Sequence, residues 1–107
     1  MEITENELQE KIKNGEKIIV DFYTDWCGPC KLMKPIFERV SQQFINENSE
    51  IHLYTMNAEK NPEATSLYGV RAVPTVKSFS NGNVFESKTG VLMENQIKEL
   101  ATNLINQ

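Results

Sequence analysis

Both cysteines of the chain lie in 26-WCGPC-30, separated only by Gly28 and Pro29. Sulfur at this spacing can staple a fold, ligate a metal or carry electrons. As a staple it is weak. In the chain-entropy picture a disulfide closing so short a loop contributes about 2 kcal/mol, against about 3 kcal/mol for a 15-residue loop. Zinc would require four ligands, and the only other soft donor, His52, belongs to a distant segment, so no metal site is expected. Reversible exchange between dithiol and disulfide fits the pair better.

Exchange needs two sulfurs within bonding reach and one of them ionised. Helix formers follow the pair, so Cys27 should stand at the head of a helix with Cys30 one turn further on. Helix rise and radius then put their Cα atoms about 5 Å apart, within the range for a disulfide. Free amide donors and the helix dipole favour an anion at that end, so the Cys27 pKa should fall below the ordinary ~8.5. Each unit of lowering raises the thiolate fraction nearly tenfold near neutral pH and costs about threefold in nucleophilicity, a net gain of roughly threefold. Lys31 and Lys34 read equally well as weak helpers or as solvated helix lysines. Cys30 has fewer free donors and should remain a thiol. Cys27 is therefore the expected attacker and Cys30 the expected resolver of the mixed disulfide. Pro29 lacks an amide hydrogen and suits a first helical turn, which stiffens the loop and should leave the Cys27 sulfur exposed.

The elements that must position this pair can be traced from patterning. Thr4 and Glu7 fit a capping box, Leu8 and Ile12 share a helix face, and Gly15 offers a left-handed stop. The segment 17-KIIVDFYT-24 is apolar on both alternating faces except at Asp21, as in a strand covered on both sides. From Pro29 to about Asn46, Met33, Ile36, Phe37, Val40 and Phe44 recur at helical spacing, with Pro35 expected to bend the helix. A second buried strand is expected at 51–57. A short helix follows at 61–69, with Asn61 as cap, Pro62 in the first turn and Gly69 as stop. Asn81-Gly82 tolerates positive φ and predicts a two-residue hairpin turn between antiparallel strands around 76–80 and 84–88. Ile97, Leu100, Ala101 and Leu104 make one face of a closing helix. The fold class is α/β, with a mixed sheet flanked by helices on both faces. Met33, Met56 and Met93 read as core fillers and His52 as a surface strand residue.

Composition narrows the function. A chain of 107 residues, 39% hydrophobic and 24% charged, is expected to form one domain over 1–107. Eleven basic against 15 acidic residues give a net charge of −4, and the lysines are scattered, so no direct nucleic-acid partner is expected. The acidic start 1-MEITENELQEK-11 shows neither a positive leader nor an apolar stretch, and no later run approaches a membrane span. A soluble monomer of a reducing cytoplasm, with no membrane partner, is expected.

With these residues in view, the chain resembles the thioredoxin family. The resemblance rests on WCGPC at Trp26 to Cys30, Asp21 in the preceding apolar strand, Val73-Pro74-Thr75 and Gly90, in family order over nearly the whole length. It implies a thioredoxin fold with a central four- to five-stranded mixed sheet. The activity implied is a dithiol reductase of disulfide-containing proteins, using no cofactor beyond its own cysteine pair and re-reduced by a thioredoxin reductase. It also implies a cis Val73-Pro74 bond, where the sequence alone would favour trans. A shallow apolar docking surface of Trp26, Gly28, Pro29, Ala72, Val73, Pro74, Gly90 and Val91 goes with it. Asp21, which by itself could be a strand-end aspartate in water or a buried acid of raised pKa, becomes by this resemblance the proton acceptor that activates Cys30.

The chain also departs from the family pattern. Thr55, in 53-LYTMN-57, stands where many members carry a lysine beside the buried aspartate, so Asp21 is expected to stay neutral to higher pH. Tyr23 stands where a tryptophan is frequent. Lys77 and Ser78 occupy positions that are usually apolar, so one sheet face is expected to be partly wet. Only 1-MEIT-4 precedes the first helix, so the family's first strand should be very short or missing. Two rival functions remain. An oxidase or isomerase would usually carry a histidine between the cysteines, and Gly28-Pro29 favours a reductant. A binding module is the other rival, since some members serve as subunits of larger machines, including a viral DNA polymerase.

Overall fold

A computed structural model describes residues 1–107. In chain order the elements are α1 (Glu5–Lys13), β1 (Ile18–Tyr23), α2 (Gly28–Asn46), β2 (His52–Asn57), α3 (Pro62–Leu67), β3 (Thr75–Ser80), β4 (Asn83–Thr89) and α4 (Glu94–Ile105). The strands form one sheet in the order β2-β1-β3-β4. β1 runs parallel to β2 and antiparallel to β3, and β3 and β4 form an antiparallel hairpin.

Strand alternation sends successive side chains to opposite faces and so builds two cores. On one face Ile19, Leu53 and Val76 meet Met33, Phe37 and Val40 of α2 and Ile97, Leu100 and Leu104 of α4. On the other, Ile18, Val20, Phe22, Met56 and Phe79 meet Leu8 and Ile12 of α1 and Ala64 of α3. Asp21, two residues beyond Ile19, therefore points to the α2 face, where the cysteines are. Met33 and Met56 are fully buried as expected, but Met93 is 59% exposed. Its extended N-cap backbone precedes the stripe that α4 lays on the core, so the side chain is left outside.

The local signals account for most element ends. Asn81 (φ 53°) and Gly82 (φ 85°) both take the left-handed region, as the two-residue turn between β3 and β4 requires. α2 runs through Pro35 to Asn46. Asn61 precedes α3, yet its side chain makes no cap bond and instead accepts from the Glu5 amide at 3.2 Å, tying α3 to α1. At α1 the Thr4 Oγ1 accepts from the Glu7 amide at 3.3 Å and the Glu7 carboxylate accepts from the Thr4 amide at 2.9 Å. Thr4→Ala is expected to lower stability by about 1 kcal/mol, read as a shifted midpoint with unchanged slope in urea unfolding.

Before α1 the chain makes a single parallel bridge, Glu2 to Thr55, and no further strand. Ile3 N–H donates to Thr55 O and Thr55 N–H to Met1 O, both at 2.8 Å. Neither Lys77 nor Ser78, which point to opposite faces of β3, is left wet. Lys77 is buried with its ammonium donating to Ser87 Oγ at 3.0 Å, and Ser78 Oγ accepts from the Glu86 amide at 3.0 Å beside an irregularity in the β3–β4 register. Polar groups on β4 satisfy what burial would otherwise penalise, although desolvation still pushes the Lys77 pKa down. No helix is long and apolar enough to cross a membrane.

Candidate active site

The turn after β1 delivers the cysteine pair to the head of α2. Cys27 takes the N-cap position with extended backbone (φ −87°, ψ 111°), and its Sγ accepts a hydrogen bond from the Cys30 amide at 3.2 Å. An amide aimed at sulfur from the positive end of a helix is the kind of donor that stabilises a thiolate once the disulfide is opened. Pro29 fills the first turn. The two cysteines form a disulfide with Cα atoms 5.2 Å apart, matching the reach inferred from helix geometry.

Burial of the Cys27 sulfur differs from expectation. Cys27 is only 4% exposed and Cys30 3%. The cause is a segment 46 residues further along the chain: the Val73 carbonyl oxygen lies 3.8 Å from Cys27 Sγ and covers it. Around this recess Trp26 is 69% exposed, and Gly28, Pro29 and Ala72 are exposed as well. The buried sulfur is thus bordered by exposed, mostly apolar residues.

The rim is assembled from three separate stretches of chain. The Val73-Pro74 peptide is cis, and Val73 is half-buried. Gly90 N–H donates to Pro74 O at 2.9 Å, which draws Gly90 and the half-buried Val91 alongside. A groove of about 300 Å³ borders Trp26, Ala72 and Val73, together with Glu59 and Arg71. The Trp26 indole N–H donates to Glu59 Oε2 at 2.8 Å, which orients the exposed ring. Glu59 carries no local sequence signal for this role, because its partner is 33 residues away.

Behind the pair lies a second space, a cavity of about 140 Å³ lined by Asp21, Thr24, Cys30, Lys31, Lys34 and Thr55. Asp21 is 1% exposed, and its Oδ1 has no hydrogen-bond partner. Loss of solvation, with a smaller push from the Glu2 charge, raises its pKa from 3.8 to about 7. The buried-acid alternative is therefore the one that holds, and the shift has the direction expected of a strand that carries Thr55 in place of a cation. Cys27 faces Val73, whereas Cys30 shares the inner cavity with the acid. Glu2, absent from any sequence motif, turns out to neighbour this cavity through Thr55 and Tyr23.

A helix-head disulfide set in an apolar rim, with a proton-binding group on its inner side, defines the chain as a protein of thiol-disulfide exchange. The family model described as Thioredoxin matches residues 1–103. A thioredoxin of Rickettsia bellii is 35% identical over 104 residues, covering 96% of both chains. A thioredoxin of Buchnera aphidicola from Acyrthosiphon pisum is 32% identical over 107 residues, covering 99% of this chain and 96% of its own. Among solved structures, the thioredoxin of Fasciola hepatica superposes with a TM-score of 0.83 at 28% identity, covering 96% of this chain and 98% of its own. The chain belongs to the thioredoxin family, has the thioredoxin fold and is a dithiol-disulfide oxidoreductase.

Proposed function

We propose that the chain works as a general reductase of protein disulfides, with Cys27, Cys30 and Asp21 in successive roles. A substrate segment settles on the rim of Trp26, Gly28, Pro29, Ala72, Val73, Pro74, Gly90 and Val91, where the Val73 backbone offers pairing groups to an extended strand. The Cys27 thiolate attacks one sulfur of the substrate disulfide, forming a Cys27–substrate disulfide and releasing the other substrate sulfur as a thiolate, which takes a proton from water. Cys30 then gives its proton to the Asp21 carboxylate and attacks Cys27 Sγ. The Cys27–Cys30 bond forms, the second substrate sulfur leaves, and two electrons have passed to the substrate. The observation that carries this reading is the disposition of the two sulfurs: Cys27 lies beneath the Val73 carbonyl on the rim side, and Cys30 borders the cavity of Asp21.

A proton acceptor is most useful when its pKa lies near working pH, and Asp21 at about 7 meets that condition. The span 1–107 acts as a single domain, a monomer in the cytoplasm, and a thioredoxin reductase returns the two electrons. Its partners are disulfide-containing proteins, with no part for membrane, metal or direct nucleic-acid binding and no cofactor beyond the cysteine pair.

Insulin reduction, with candidate reductases supplied in turn, tests activity and electron donor together. Turnover should appear with one donor and vanish in the Cys27→Ser/Cys30→Ser double variant. No turnover by wild type with any donor, together with a biological role that survives in the double variant, would overturn the catalytic reading in favour of an assembly role.

A further inference from the structure

Three departures from the family pattern, Thr55, Tyr23 and the reduced first strand, converge on one carboxylate. Glu2 Oε1 accepts from Thr55 Oγ1 at 2.7 Å and from Tyr23 Oη at 2.9 Å, and Oε2 accepts from the Asn57 amide at 3.1 Å. The backbone on either side of Glu2 is pinned to Thr55 by the two bonds of the bridge. Three donors and a double backbone anchor hold a long side chain that would otherwise sample many rotamers. Thr55 is the direct register partner of Asp21 across β1 and β2, so the clamp places a negative charge on the β2 flank of the buried acid.

The other groups facing Asp21 do not cancel that charge in the same way. From α2, Lys31 and Lys34 border the cavity, but both are exposed residues whose ammonium groups are free to stay in water. Asp25, in the turn after β1, adds a second acid at the cavity edge. β2 contributes the neutral Thr55, and β3 presents Val76 opposite Asp21.

We propose that Glu2 is a positioning residue for the exchange reaction: clamped by Thr55, Tyr23 and Asn57, its carboxylate holds the proton on Asp21 and so sets the pH at which Cys30 is deprotonated. This rests on the role assigned to Asp21 above. Glu2 exchanges no proton with substrate and touches neither sulfur. It opposes a second negative charge nearby, and after desolvation it is the next cause of the raised Asp21 pKa.

The test is the titration of the Asp21 side-chain carboxyl carbon by NMR in the oxidised full chain. Single-turnover release of the Cys27-linked mixed disulfide is followed as a function of pH alongside it. Glu2→Gln keeps size and removes charge, and Glu2→Lys reverses charge. The Asp21 midpoint should fall in the order wild type, Gln, Lys. The first step should be on the order of half a pH unit, narrowed by added salt, and the release profile should move with it. A purely structural role for Glu2 would not order the midpoints by charge. Coincident midpoints in the three folded proteins overturn the inference while leaving the Asp21 reading intact. A release profile that Asp21→Asn does not alter overturns the Asp21 reading itself, and the role of Glu2 in catalysis falls with it.

Discussion

Cys27→Ser is expected to reduce insulin disulfides no faster than the uncatalysed background, whereas Cys30→Ser should hold one substrate per chain as a stable mixed disulfide. The asymmetry follows from where each sulfur sits. Cys27 lies on the Val73 side and the Cys30 amide donates to its sulfur, so on the proposed mechanism the first attack has no substitute when it is replaced. Both sulfurs are buried, but Cys30 borders the Asp21 cavity instead of the side that Val73 covers, so it is placed to attack Cys27 and not the incoming substrate. Without it the mixed disulfide has no internal nucleophile and persists. Non-reducing electrophoresis after mixing with an excess of substrate reads both outcomes. Trapping by Cys27→Ser in place of Cys30→Ser would reverse the assignment.

Asp21→Asn is expected to stabilise the oxidised protein, increasingly so as pH rises. The folded acid titrates at about 7 and the unfolded one at its ordinary 3.8, so between these values the folded chain keeps a proton that the unfolded chain has lost. Stability from this site is therefore fully present below about pH 4 and is lost progressively up to about pH 7. Above that, wild type carries an ionised carboxylate in a nearly dry site. The gap between 3.8 and about 7, at about 1.4 kcal/mol per pH unit, corresponds to roughly 4 kcal/mol. Urea unfolding at several pH values should show the variant gaining on wild type by an amount of this order between pH 4 and 8. Any constant offset from the new amide is independent of pH and drops out of the slope. Parallel stability curves would show that Asp21 is not buried as an acid. The same substitution removes the proton acceptor, so release of the mixed disulfide should slow while stability improves, as expected where an active site retains a destabilising group.

These two results probe different layers of what could be read from the chain. The roles proposed for Cys27 and Cys30 rest on local geometry: two sulfurs one helical turn apart, with Pro29 suited to a first turn and helix formers beyond. The hairpin at Asn81-Gly82, the capping box at Thr4 and Glu7, and the apolar stripes of α2 and α4 are equally local, and the structure contains each of them. The face to which Asp21 points was not legible, because β1 is apolar on both sides and only the packing of Ile19 against α2 fixes it. Burial was less legible. Cys27 was expected at the surface and lies under Val73, Met93 was expected in the core and lies outside it, and Lys77 found a partner on β4 instead of solvent.

What the amino-acid sequence determined alone was thus the order of elements, the redox pair and the acid in its strand, because each is set by residues within about one or two turns of one another. The tertiary structure alone decided how deep the attacking sulfur lies, which group orients Trp26, and that Glu2 flanks Asp21. Those contacts join residues 46, 33 and 53 positions apart, as Cys27–Val73, Trp26–Glu59 and Glu2–Thr55. Periodicity and capping carry no record of such pairs; only the closure of the sheet and the docking of its loops bring them within reach.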